Sequence, residues 1–341
     1  MSQVLVLGYF GHNTNQLDGQ TIKTRSLYQL LCGYYSDVDF FDTQDFKYNA
    51  ASFFKMLNKV FHAKNVCYLP AQNNLKFIFP IIFILSKISK NNLIYIVIGG
   101  WLSDFLVKLP LHRWMLKRIK AIFPETQLMC EQLKNHYQIS NIQVLPNFRV
   151  SDFKPNVTRQ TTRKQMRLVF MARINKMKGY DTIFNFAEYA HNKGLDVIVD
   201  FYGQINENDK TDFLKKVANN AIVSYKGAIM PEDIYQVLCR YDLLLLPTKY
   251  YTEGFPGSVL DAYIAGIPVV VTEWQHSHEF VIDGRTGYIV PFCDNQGDFN
   301  DKLTCLYFNR EILAEMKNNA IEFSNRFRAS NIIHTLDNYL L

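Results

Sequence analysis

A chain of 341 residues is too long for one ordinary hydrophobic core, so its length predicts two domains. At 48% hydrophobic and 20% charged residues it is globular, which excludes disorder as its general state. The net charge of +6 suits an anionic ligand or an anionic membrane surface and makes no case for a nucleic-acid partner.

The opening residues, MSQVLVLGYFG, lack the basic start of a signal peptide and read as a strand over 4–10. Further strands are predicted at 38–42, 65–69, 93–100, 121–124 and 142–147. Helical patterns fill 20–32, 52–62, 75–89, 104–119 and 126–137 between them. The longest apolar run, FIFPIIFIL at 77–85, is too short to span a bilayer and contains Pro80. Residues 148–166 are polar and without periodicity, which reads as a linker. A second series of strands follows at 167–173, 196–203, 221–227, 243–248, 268–273 and 287–292. The tail from Arg310 is helical and has no strand after it. Continuous apolar strands separated by helices imply parallel sheets covered on both faces. Each half is therefore expected to be an α/β, Rossmann-like domain, over 1–150 and 151–327. The six cysteines, Cys32, Cys67, Cys130, Cys239, Cys293 and Cys305, include no Cys-x-x-Cys pair. Neither a zinc ribbon nor a disulfide framework is expected, and a reduced cytosolic setting fits.

In doubly wound sheets, ligands bind outside the carboxyl ends of the strands. The stretch EGFPGSVLD, residues 253–261, follows one such end. A helix predicted over 258–265 would point unpaired N–H groups and a partial positive charge at a ligand. Gly254 and Gly257 would let a phosphate approach the backbone. Glu253 suits hydroxyl groups, because a carboxylate can accept two O–H donors. Diphosphate and hydroxyls together describe a nucleotide sugar. An ordinary strand–turn–helix connection with a surface acid has the same local pattern. MARINKMKGYD, residues 171–181, carries Arg173 and Lys178 at another carboxyl end. Two cations there could hold a diphosphate and stabilise it as it leaves. A solvated basic loop would look alike.

Taken together, these segments resemble family 4 of the retaining glycosyltransferases, which have the GT-B fold. The likeness rests on the Arg173…Lys178–Gly179 loop, on GAIMPEDIYQVLCRYDLLLLPT, on EGFPGSVLDAYIAGIPVV and on VIDGRTGYIV. The resemblance implies two facing Rossmann-like domains with a cleft between them, and a C-terminal helix, about 328–341, crossing back to the first. It implies sugar transfer from a nucleotide-diphosphate donor, UDP-sugar favoured, with retention at the anomeric carbon and no bound metal or other cofactor. By position, Arg173 and Lys178 would grip the diphosphate and Glu253 the sugar hydroxyls. The backbone of Phe255, Pro256, Gly257, Ser258 and Val259, with Gly254, would meet sugar and phosphate. Gly227, Ala228 and Ile229 would border the base. Gly19, in LDGQTIKTRSLYQLL at 17–31, matches a glycine that approaches the diphosphate, although no G-x-G-x-x-G is formed.

At one position the chain departs from the family. The second of two paired acids is Asp261, shorter than glutamate by about 1.5 Å. Ribose binding competes there with a helix-capping role, since Ser258-x-x-Asp261 reads as a capping box.

The first half would hold the acceptor. The apolar segment 75–90 and the cationic segment 104–120, with Lys108, Arg113, Lys117, Arg118 and Lys120, fit either core and solvated surface or a helix at a membrane interface. The family favours a lipid-linked or oligosaccharide acceptor, as in capsule or O-antigen assembly, with peripheral attachment to the inner face of the plasma membrane. His12 lies near the expected cleft. His276 and His278 have a spacing a metal could use, but no third ligand is evident. Asp104, at a strand end in the acceptor half, could be an acceptor-side base but reads better as an acid at a helix start, and Glu125 has no assigned role. A nucleotide-sugar epimerase or hydrolase, or a non-catalytic partner subunit, would share the fold.

Overall fold

A computed structural model of the chain describes residues 3–13, 16, 18–155 and 164–340. The middle of the expected linker and residues 17 and 341 lie outside them. The chain divides into two compact units: Met1–Ser151 with Phe327–Leu341, and Asp152–Arg326.

Unit 1 begins with β1 (Val4–Gly8), α1 (Gly19–Tyr34), β2 (Val38–Asp42), α2 (Ser52–His62) and β3 (Asn65–Leu69). It continues with α3 (Gln72–Phe77), α4 (Phe79–Ser89), β4 (Asn92–Ile96), α5 (Leu102–Leu106), α6 (Pro110–Leu116), β5 (Ala121–Phe123) and α7 (Gln127–Tyr137). The five strands form one sheet in the order β2-β1-β3-β4-β5, with every pair parallel. Alternate residues of a strand face opposite sides. Leu5, Leu7, Tyr68 and Tyr95 therefore join one core with residues of α2 to α7. Val4, Val6, Leu69 and Ile96 join the other with α1.

That second face is closed from the far end of the chain by α15 (Ala329–Leu340), whose Ile332, Ile333, Leu336 and Leu340 are buried in it. The Tyr35 hydroxyl donates to Asp337 Oδ1 at 2.6 Å, and the Asn65 side-chain amide to the Leu340 carbonyl at 3.0 Å.

Unit 2 holds β6 (Met166–Met171), α8 (Tyr180–Asn192), β7 (Val197–Tyr202), α9 (Lys210–Ala218), β8 (Val223–Tyr225), α10 (Ile234–Leu238) and β9 (Leu243–Leu246). Then come α11 (Gly257–Ile264), β10 (Val269–Thr272), α12 (Ser277–Phe280), β11 (Gly287–Val290), α13 (Gln296–Phe308) and α14 (Arg310–Ser324). Its six-stranded sheet is also parallel, in the order β11-β10-β9-β6-β7-β8. Strand order reverses between β6 and β9, the topological switch point at which such sheets bind ligands.

Three expected elements differ, each because of a proline. The strand at 142–147 is reduced to an isolated bridge between Ile142 and Ile122: Gln143 and Leu145 N–H donate to the Ile122 and Pro124 carbonyls, but Pro124 has no N–H to return the next ladder bond. The helix at 75–89 is two helices, because the Pro80 ring would clash with a helical carbonyl four residues earlier. The cationic helix at 104–119 is likewise broken: Leu109, at φ −126° and ψ 68°, takes the non-helical backbone imposed by Pro110.

Candidate active site

The carboxyl ends of β6 and β9 are neighbours, since Val169 pairs with Leu244. The loops that leave them run together. Lys249 N–H donates to the Met177 carbonyl at 2.7 Å. Gly179 has φ +81°, and a Cβ there would lie 1.8 Å from the Pro247 carbonyl oxygen. Both the left-handed backbone and the close approach therefore demand glycine. The Asn175 side chain accepts from Lys178 N–H at 2.9 Å and shapes the turn before it.

This packing brings Lys178 Nζ to 2.7 Å from Glu253 Oε2, with side chains only 17% and 18% exposed. The buried Thr248 hydroxyl also reaches Glu253 Oε2, at 3.4 Å, and accepts from Tyr250 N–H at 3.2 Å. The Tyr250 ring lies 5.3 Å from the ammonium. A cation and a carboxylate drawn from two loops thus sit together at the switch point. Arg173 is exposed in the first of these loops, two residues beyond β6.

The turn after Glu253 is anchored from beneath. Gly254, Phe255, Pro256 and Val259 are buried, and the Phe255 ring stacks on Phe280 at 4.0 Å. Gly257 opens α11, with Ser258 after it, and Pro256 as N-cap makes no side-chain capping bond. Among N-terminal N–H groups of a helix, the first turn has no partner within the helix. The expected capping box is therefore not formed. Asp261 is the fifth residue of α11, buried, with the Tyr235 hydroxyl 3.4 Å from its Oδ1.

Gly203 was missed by sequence reasoning. It has φ +136°, and a Cβ would come within 2.0 Å of the Ala172 carbonyl oxygen. Its N–H donates to the Gly227 carbonyl at 2.9 Å. It thereby joins the Arg173 loop to the loop of Gly227, Ala228 and Ile229, where Gly227 has φ +83°. The available signal was a glycine directly after the apolar run of β7. Thr248 and Tyr250 carried no comparable signal.

His276 and His278 have different surroundings. His278 is exposed and 2.9 Å from Glu273, whereas His276 is buried with neither ring nitrogen hydrogen-bonded among the described residues. Among the described residues no group of three or more His, Cys, Asp or Glu side chains is placed to hold a metal.

The unit 1 residues form a separate set. Gly19 is exposed at the start of α1, where Asp18 caps Thr21 N–H at 2.9 Å. His12 is exposed, and its ring stacks on Phe10 at 5.6 Å. Asp104 lies in the first turn of α5, which is the helix-start position expected for it. Glu125, without a role in the sequence, is buried 2.6 Å from buried Lys23 and accepts from Gly99 N–H at 3.2 Å. Burial pushes the Lys23 ammonium below its ordinary range, against the opposing pull of Glu125.

Residues 154–323 match a family model described as glycosyl transferases group 1. Curated relatives match part of the chain. One, described as an uncharacterized 41.2 kDa protein in the cps region of Klebsiella pneumoniae, is 27% identical over 52% of this chain and 46% of its own length. Another is the N,N'-diacetylbacillosaminyl-diphospho-undecaprenol alpha-1,3-N-acetylgalactosaminyltransferase of Campylobacter jejuni, 28% identical over 46% of this chain and 39% of its own. The chain therefore spans less than half the length of these relatives. The crystal structure of Anabaena Alr3699/HepE in complex with UDP-glucose superposes with a TM-score of 0.76, covering 99% of this chain and 98% of that one. At 15% identity that likeness bears on the fold, which is GT-B, with two Rossmann-like units.

Proposed function

We propose, from the match of residues 154–323 to the glycosyl transferases group 1 model, that the chain transfers a sugar, with retention, from a nucleotide-diphosphate donor to a lipid-linked glycan in surface polysaccharide assembly. The observation that carries this reading is the Lys178–Glu253 pair at the switch point of unit 2. In it, the Lys178 ammonium and Arg173 neutralise the diphosphate and stabilise the charge that grows as it departs. Glu253, held by Thr248 and Lys178, accepts hydrogen bonds from sugar hydroxyls. The backbone of Gly254–Val259 meets the donor at the start of α11. Asp261 takes the ribose, and Gly227, Ala228 and Ile229 border the base. No metal is required, because the charge on the leaving group is met by side chains and a helix terminus. Retention follows if the acceptor oxygen attacks from the face that the diphosphate leaves.

A uridine donor is favoured because the HepE structure with the same fold holds UDP-glucose. A polyprenyl-diphosphate-linked acceptor is favoured by the name of the Campylobacter relative, and a capsule pathway by the cps location of the Klebsiella one. Such an acceptor would place the chain peripherally at the inner face of the plasma membrane. No helix among the described residues is long and apolar enough to cross a membrane.

The test is a panel of nucleotide sugars, scored by thermal shift and by transfer to a polyprenyl-diphosphate sugar, with the anomeric configuration of the product read by NMR. A donor at a hundredfold excess over its Kd should add about 2.7 kcal/mol of stability. Binding of no nucleotide sugar would refute the reading, and an inverted product would refute retention. Release of free sugar at full rate without an acceptor would favour a hydrolase.

A further inference from the structure

The helix α4 is apolar on both sides. Phe79, Ile82 and Phe83 are buried in the core of unit 1. Ile81, Ile84 and Ile88, spaced three and four residues apart, share the opposite side, and Ile84 and Ile88 are 59% and 65% exposed. A helix that is apolar all round is expected to be covered all round.

The neighbouring elements extend this face. Phe77, at the end of α3, is exposed, with the Lys76 ammonium 5.2 Å from its ring. Alongside, α6 packs against α4, its Trp114 ring edge-on to Phe83 at 5.7 Å. Trp114 is 49% exposed, and Leu111, one turn earlier, is exposed too. On α2, which also packs against α4, Phe54 and Phe61 are exposed two turns apart. Scattered exposed apolar side chains are ordinary, but exposed apolar side chains concentrated on α4 and the three helices packed against it mark an interaction surface.

Charge indicates what covers it. Between residues 70 and 120 the chain carries eight basic residues and one acid, Asp104. Lys76, Lys87, Lys117, Arg118 and Lys120 are exposed around the apolar group. Lys87 Nζ donates to the Arg118 carbonyl at 2.6 Å, and the Arg118 guanidinium stacks over Trp114 at 4.3 Å. A second copy of the same cationic face would repel the first. An anionic bilayer supplies both complements: acyl chains for the apolar group and phosphates for the cations around it. Tryptophan with a stacked arginine suits the boundary between the two. At 11 residues α4 cannot span a bilayer, so it would lie in the plane of the surface.

We propose that the outward face of α3, α4 and α6, extended by α2, docks unit 1 on an anionic lipid surface, with Ile84, Ile88 and Trp114 entering the headgroup–acyl boundary. This deepens the lipid-linked acceptor reading given above and rests on it only for its biological purpose.

The test uses the full chain with phosphatidylglycerol and phosphatidylcholine vesicles. Sedimentation with phosphatidylglycerol is expected, weakening with salt, and at least about tenfold weaker binding to phosphatidylcholine. Ile84→Glu with Ile88→Glu should weaken phosphatidylglycerol binding about tenfold or more. Lys117→Glu with Arg118→Glu should weaken it and flatten its salt dependence. Tryptophan emission should shift to the blue on vesicles, and Trp114→Phe should abolish the shift. Vesicle binding unchanged by both double variants overturns the proposal. So does absence of binding, or self-association of the native chain that the isoleucine variants abolish. Hydrolysis of nucleotide sugar without vesicles reads the donor site separately. A chain that binds vesicles but no nucleotide sugar would sink the proposed function and leave this face standing.

Discussion

Lys178 and Glu253 lie 75 residues apart in the chain and 2.7 Å apart in the structure. Their loops leave adjacent strands, and the contact depends on Gly179 letting one loop pass against Pro247 of the other. A pair so arranged acts as a unit, and its two members should not behave independently.

Lys178→Ala should lower transfer by about two orders of magnitude or more, and so should Arg173→Ala, as when a charge-stabilising donor is removed. Glu253→Gln should also impair transfer, and Lys178→Ala combined with Glu253→Gln should cost clearly less than the sum of the single effects. Steady-state kinetics of the three variants form the cycle. Near-normal turnover of Arg173→Ala or Lys178→Ala at saturating donor would remove these residues from the mechanism, and strict additivity would remove the coupling.

Gly179→Ala should be far more damaging to stability than Arg173→Ala. The new methyl would meet a backbone oxygen at 1.8 Å on a left-handed backbone, so the two loops must separate. A loss of roughly 2 kcal/mol or more is expected, as for other strained backbone substitutions. Arg173 is exposed, and its replacement should leave the melting temperature almost unchanged. Equal melting temperatures for the two variants would contradict the close approach.

Asp261→Asn should raise the donor KM while leaving the melting temperature close to native. The residue is inside α11 and not in a capping box, so no cap is lost. Asp261→Ala should raise KM further and also lose stability, because the half-buried Tyr235 contact goes with it. An unchanged KM in both variants would make Asp261 purely structural.

Lys23→Met should destabilise unit 1 strongly, by about 3–5 kcal/mol, because buried Glu125 would lose the ammonium 2.6 Å from it. Lys23→Met with Glu125→Leu should recover much of that loss, since an apolar pair of similar volume needs no compensation. Chemical denaturation of both variants measures the difference. A single variant as stable as the native chain would show that the pair is solvated after all.

Much of the architecture follows from local pattern. Apolar runs such as LLLL at 243–246 and VVVT at 269–272 are buried on both faces, and only a covered parallel sheet accommodates them. The placing of Lys178 and Glu253 at strand ends was equally legible, because loop position is a local property. The proline breaks at Pro80 and Pro110 were present in the sequence, but the continuing apolar and cationic pattern masked them. Gly203 could not be distinguished from an ordinary turn glycine until the Ala172 carbonyl was placed beside it.

Sequence periodicity alone therefore determined two α/β halves, the strands that build them and the loops that bear charge. Tertiary structure alone decided which loops meet. It set β6 beside β9, brought Glu125 to Lys23 across 102 residues and closed the core of unit 1 with α15 from the other end of the chain. The physical reason is one of range. A side chain's tendency to be buried repeats every two or 3.6 residues and shows within a short window. The order of strands in a sheet is set by the packing of all its elements at once. That order also left the outer side of α4 uncovered within unit 1, since an apolar pattern records that a face seeks a partner without naming it.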